Sequence, residues 1–342
     1  MTDPPDHADP GPAALAWGWR PVVLPPGPPP GATLALAAHG RRATLVAARP
    51  DGGPVEPVVF DGEGAAHRSA PLPLVSVSGA AGGPHGVVVA GAAPGDGSPR
   101  ACELDPATGE AAATDLPVGD APLAVWPVPV AADPVRVVWA TGRAPSTLWC
   151  GTLTAGGLIL ARADVDAPVW TVQPVAAPGG VDVLCQTPAG GLVVRFGDAA
   201  AAEPALPAFP SGATLSPGAV LAARGAGHLD AWETATAAHH DLVLPAPAGE
   251  GPTAVAAPRV VPALGLLVWE TQFPDTAGFA GDEAGIRTLA GRGWAALLDR
   301  ERWRIGPAAE LPVAPLAMTV LDGALVVAAR SGVWIGRAEP VA

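Results

Sequence analysis

The sequence predicts an all-β protein: a single seven-bladed β-propeller of four-stranded antiparallel blades, closed by an N-terminal strand that completes the last blade. Three observations carry this expectation. Short β-branched runs bounded by Gly, Pro and Asp fill the chain, and long helical periodicity is scarce. One apolar run recurs seven times, each copy followed by a turn and a strand ending on a large residue. The last copy has room for only three strands, while a strand-like segment stands unassigned near the N-terminus.

In chain order, residues 1–14 are Pro- and Asp-rich with nothing to bury, which predicts a disordered tail ahead of a propeller domain at 15–342. The stretch LPPGPPPG at 24–31 predicts a stiff polyproline II connector. The recurring run appears as ATLVAAR (43–49), GVVVAGA (86–92), VRVVWAT (135–141), VDVLCQT (181–187), AVLAARG (219–225), GLLVWET (265–271) and ALVVAAR (324–330). These runs are apolar at successive positions, so both faces of the strand must be covered. The strand after each run ends on Phe60, Leu104, Trp149, Phe196, Trp232, Leu298 or Trp334, spaced by 44, 45, 47, 36, 66 and 36 residues. A period near 45 residues, four strands long, is the signature of blades that bury their faces only by stacking in a ring.

The expected blades are 31–72, 73–121, 122–168, 169–210, 211–252, 253–314, and 315–342 joined by 15–26; six or eight blades are the alternatives. The segment AWGWRPVVL (16–24) is the candidate closing strand, needed because an open ring would expose two sheet edges. The hairpin Leu104-Asp105-Pro106-Ala107-Thr108-Gly109-Glu110 then falls between the third and fourth strands of blade two. This LDPATGE element resembles the strand-turn-strand unit of the quinoprotein-like and WD40-like seven-bladed propeller superfamily, and the periodicity is similar over most of the chain. The WD40 signature itself fails, because Gly-His occurs once, at Gly227-His228, and Trp-Asp never. The resemblance implies a fold that hosts enzymes, ligand binders and docking platforms alike.

Composition narrows the chemistry. Lys, Tyr and Asn are missing while residues with GC-rich codons abound, which points to a GC-rich bacterial genome. The absence of Lys excludes a Schiff base, a Walker lysine and a Ser-Lys dyad. The absence of Tyr argues against sialidase-like and radical-copper propellers, and that of Asn removes a common ligand of lactonase-like metal cages. Adjacent cysteines, typical of quinoprotein dehydrogenases, are missing too, and no cofactor is implied. The net charge of −13 disfavours nucleic acid and anionic membrane surfaces as partners. Cys102, Cys150 and Cys185 fit no metal or CxxC spacing and read as buried thiols of a cytoplasmic protein. The N-terminus has neither the basic start nor the apolar run of a signal peptide.

Turn acids Asp51, Asp61, Asp105, Asp115, Asp120, Asp198 and Asp241 are expected to cap turns through nearby backbone N–H groups. His39, His85 and the pair His239-His240 are expected in connections on one face, solvated, too far apart to share a metal. No metal site is predicted.

One segment breaks the repeat. Between Trp232 and Leu298 lie some 20 residues beyond the period, contained in 270–293 and placed between the second and third strands of blade six. Loops this long inside compact domains are usually functional or disordered. The segment carries Glu270, Phe273, Asp275, Phe279, Asp282, Glu283 and Arg287; DEAGIRTLAG is expected to form one or two helical turns with Asp282 as N-cap and Gly291 as stop. The equivalent loop of blade three places Arg143 on the same face. The function expected is a scaffold presenting this face to a protein partner. The alternatives are a small-molecule lyase or hydrolase, or a non-catalytic ligand binder, using the central channel.

Overall fold

The computed structural model describes residues 12–25, 28–154, 157–197, 201–202, 209–210, 213–224, 227–245, 254–272 and 292–341. These residues form seven antiparallel sheets in a ring, a seven-bladed β-propeller. Blade one pairs Thr33–His39, Arg42–Ala48, Glu56–Asp61 and Ala66–Arg68 in order from the axis outward. Blade two runs from Ser76–Gly82 to Ala111–Asp115, blade three from Leu123–Val130 to Gly157–Val165, and blade four from Thr171–Ala177 to Ala201–Ala202. Blade five spans Thr214–Ser216 to His239–Val243, and blade six starts with Ala254–Val261. The last three strands, Ala317–Leu321, Ala324–Ala329 and Gly332–Val341, are completed by Ala14–Val22, which pairs antiparallel with Gly332–Val341 over nine residues.

The physical reason for the ring is visible in the core. The buried apolar residues fall into seven clusters, and each cluster joins two neighbouring blades. The recurring run is the second strand of each blade. It contributes to both flanking clusters, so Val87–Ala92 and Ala324–Ala329 are buried at every position. A single blade would leave both of these faces in water.

The innermost strands approach closely. A Cβ on Gly82 of blade two would lie 1.9 Å from the Ala38 carbonyl oxygen of blade one, so only glycine fits there. Polar side chains also bridge blades: Thr214 Oγ1 donates to the Pro258 carbonyl at 2.5 Å, and the Ser216 hydroxyl accepts from Val260 N–H at 3.0 Å.

Blade six departs from the four-strand pattern. Its third strand, Arg292–Asp299, pairs at one end with Arg304–Ile305 and at the other with Ala309–Glu310, so the outer edge is divided. The closing strand lies against this blade. Its Trp17 and Trp19 rings stack at 4.7 Å and pack into the cluster between blades six and seven.

Candidate functional site

The connections between second and third strands all open at one end of the ring. Six are short: 49–55, 93–98, 142–145, 188–189, 224–227 and 330–331, two to seven residues each. In blade six, Thr271 and Arg292 are cross-strand partners, yet nineteen residues, 273–291, separate the flanking strands. Phe273, Asp275, Phe279, Asp282, Glu283 and Arg287, with the expected helical turns, lie outside the described residues.

Glu270 and Arg143 are described. Glu270 sits near the end of the second strand of blade six, opposite Gly293, between buried Trp269 and Thr271. Burial pushes its carboxyl up from the ordinary range, and the positive charge of Arg259 partly opposes this. Arg143 is exposed in the 142–145 loop, which is tied down by Gly142 N–H to the Pro122 carbonyl at 2.9 Å. The two residues share one end of the molecule but stand three blades apart, nearly opposite in a ring of seven. They do not form a joint site.

Two aromatic residues at this end gave no usable signal in the sequence. Trp126 lies in the innermost strand of blade three, where the register slips between Val125 and Val128. This bulge turns Trp126 out of the packed interface, and it is 42% exposed between buried Val125 and Pro127. Trp170 precedes the innermost strand of blade four and is 58% exposed. Its neighbour Val169 donates its N–H to the Ser146 hydroxyl at 3.0 Å, which fixes Trp170 beside the Arg143 loop. Arg143 and Trp170 thus belong to neighbouring segments of blades three and four at this end of the ring, and Trp126 to the innermost strand of blade three. The flanking proline in Trp126-Pro127-Val128-Pro129 was the one hint of an irregular strand.

The opposite end corrects the reading of the histidines. His239 and His240 belong to the fourth strand of blade five rather than to its connection, paired with Trp232 and Ala231. They are also partnered rather than merely solvated. His239 Nε2 lies 2.9 Å from Asp230 and its ring stacks on Trp232, while His240 Nε2 lies 3.2 Å from Glu233 and its ring stacks on Trp303 of blade six. His39 Nδ1 approaches the Gly83 carbonyl of blade two at 2.7 Å. These imidazoles join strands and blades. Among the described residues no group of three or more His, Cys, Asp or Glu is placed to hold a metal ion.

Several turn acids do cap turns. Asp61 accepts from Glu63 and Ala65 N–H at 2.9 and 3.0 Å, and Asp105 accepts from Ala107 N–H at 2.7 Å. Asp115 and Asp241 instead pair with Arg100 and Arg224. All three cysteines are buried and none forms a disulfide, and burial raises the Cys102 and Cys150 thiols to about 11. No helix among the described residues is long and apolar enough to cross a membrane. A separate cleft of about 280 Å³ opens on blade one, floored by Leu45 and Val58 and rimmed by Arg49, Glu56 and Arg68.

No family model and no curated protein sequence matches the chain. Solved structures do resemble it in fold. The Aleuria aurantia lectin, in complex with α-methyl-L-fucoside, aligns with a TM-score of 0.52 at 10% identity, covering 85% of this chain and 98% of the lectin. Sqt1 of Saccharomyces cerevisiae aligns at 0.52 and 9% identity, covering 86% and 79%. A 6-phosphogluconolactonase candidate of Bacteroides fragilis aligns at 0.53 and 11% identity, covering 85% and 88%. At such identities the likeness shows the propeller fold and nothing finer.

Proposed function

We propose that the chain is a protein-interaction module that uses the propeller as a rigid ring and one of its ends as the contact surface. The observation that carries this reading is the nineteen-residue connection in blade six, set against two to seven residues at the six equivalent positions. A connection of that length is not needed to join paired strands. Phe273, Phe279, Asp275, Asp282, Glu283 and Arg287 are the contact residues of this segment, with Glu270 at its root. Exposed Trp170 and Arg143 extend the surface across the opening; Trp and Arg are the residues most enriched at energetic centres of interfaces. Three buried thiols with no disulfide support a cytoplasmic setting.

A second reading is favoured by one observation. Trp126 stands 42% exposed beside a register slip in an innermost strand, where its indole offers a flat apolar platform to a small molecule. Saturable binding without a protein partner would move the weight to it.

The test is affinity capture from host lysate with the wild type, a variant lacking 273–290, and Trp170→Ala. The deletion is expected to melt at the wild-type temperature and to lose the captured partner, with Trp170→Ala weakening capture. Equal capture by wild type and deletion would sink the proposal.

A further inference from the structure

The rim of blade three carries an edge that the other blades avoid. Outermost strands are the place where unpaired N–H and C=O groups meet solvent, and natural sheets keep them short, charged, interrupted or covered. Here the described outer strands are three residues in blade one, five in blades two and five, two in blade four and two short pieces in blade six. The nine-residue closing strand of blade seven contains Pro21 and lies against blade six. Among the described outer strands, only that of blade three combines length with exposed large apolar side chains. Its outer strand Gly157–Val165, GLILARADV, pairs along its whole length with Ser146–Thr154 and exposes 62% of Ile159 and 42% of Leu160.

The hydrogen-bond parity of this edge follows from the hairpin. Thr154 and Gly157 are cross-strand partners flanking a two-residue connection, so they form a hydrogen-bonded pair, and every second residue after Gly157 bonds inward. Leu158, Leu160, Arg162 and Asp164 therefore point their backbone groups outward. The side chains of Arg162 and Asp164 stand on one face of the strand, and both residues are exposed.

We propose that this edge pairs with the same edge of a second copy of the chain, antiparallel about a two-fold axis at Ala163. Charge selects this register. Centred on Ala163, the pairing sets Arg162 of each copy directly opposite Asp164 of the other, and Asp166 lies on the next diagonal. The two Arg162 side chains are diagonal neighbours in either register, but centred on Ala161 each Arg162 would face Leu160 and each Asp164 would face Leu158, so no opposite charges would meet directly. The Ala163 register also satisfies the outward backbone groups of Arg162 and Asp164, because a two-fold axis through an inward-bonding residue brings outward-bonding residues face to face. It lays Ile159 and Leu160 against the Asp166–Pro168 segment of the second copy. The two four-stranded blades become one eight-stranded sheet bridging two rings. The edge runs down the side of blade three, and its Asp166–Pro168 end leads into Trp170 of the surface proposed for partner binding.

The test is sedimentation velocity across the micromolar range with full-length protein, combined with a crosslink. Wild type is expected to shift toward dimer as concentration rises. Arg162→Asp and Asp164→Arg, each of which faces two like charges in the dimer, are expected to stay monomeric, and the double exchange R162D/D164R to dimerise again. Because the three native cysteines are buried, Ala163→Cys is expected to give a disulfide-linked dimer under mild oxidant. A wild type that stays monomeric throughout overturns the proposal. So does a dimer that both single charge reversals leave intact, or one in which Ala163→Cys does not crosslink.

Discussion

Ring closure rests on a contact between a glycine and an indole, and Gly336→Ala probes it. Gly336 of the third strand in blade seven is the cross-strand partner of Trp19 in the closing strand. A Cβ at position 336 would lie 2.4 to 2.6 Å from three atoms of the Trp19 ring, far inside van der Waals contact. Trp19 has no easy retreat, since Trp17 is stacked on it at 4.7 Å and both rings are packed toward blade six. Overpacking of this kind costs about 1–3 kcal/mol. With an unfolding entropy of about 2.1 cal/mol/K per residue, a 2 kcal/mol loss over the whole chain lowers Tm by about 3 °C. Trp19→Ala alone removes a partly buried aromatic and is expected to cost about 2 kcal/mol, below the value for a fully buried one. The decisive measurement is the double-mutant cycle by thermal or urea unfolding. If the clash is the cause, adding Gly336→Ala to Trp19→Ala costs almost nothing, leaving a coupling of about 2 kcal/mol. Strict additivity, or a Gly336→Ala protein that melts with the wild type, would refute the reasoning.

Two further predictions concern buried charge. Asp182 is fully buried and held by Arg195 through bonds of 2.6 and 2.9 Å, while the Arg195 side chain keeps 35% of its surface in water. Arg195→Met strands the carboxylate and should cost about 3 kcal/mol, the low end for breaking a buried pair because solvent reaches the cation's side; Asp182→Leu/Arg195→Met should recover most of it. Glu270 binds its proton more tightly in the folded protein than in the unfolded chain, so its contribution to stability falls as pH rises through the ordinary carboxylate range. Glu270→Gln should therefore raise Tm at neutral pH, with the gain vanishing at acid pH; a gain that is independent of pH would contradict the assignment.

The propeller was legible because its physics is repeated. Each second strand is buried on both faces, so the same apolar run had to recur, and Val87–Ala92 or Ala324–Ala329 stand out without knowledge of their neighbours. The closing strand was legible from a strand missing at the C-terminus and a spare one near the N-terminus. The divided outer edge of blade six was not, because Arg304–Ile305 and Ala309–Glu310 are each two residues long and leave no periodicity. The exposure of Trp126 depends on a one-residue register slip against the neighbouring strand, which Pro127 and Pro129 hint at without locating. The partners of His239 and His240 likewise arise from strand pairing and from a tryptophan in the next blade, some sixty residues away. At the candidate site, the long connection was visible as a break in spacing, whereas Trp170 required knowing that Ser146 anchors the chain beside it.

The antiparallel pairing of Ala14–Val22 with Gly332–Val341 also sets a timetable for synthesis. The closing strand Ala14–Val22 is made some 310 residues before its partner Gly332–Val341. At about 5–20 residues per second, translation of the intervening chain takes roughly 15–60 s. Throughout that interval Trp17 and Trp19 have no sheet to join, and the nascent ring has no seam. The seam of the ring thus closes only after Gly332–Val341 has been made. Moving residues 14–22 to follow residue 341 would place both partners in one late hairpin, and the delay would disappear while the finished ring kept the same contacts.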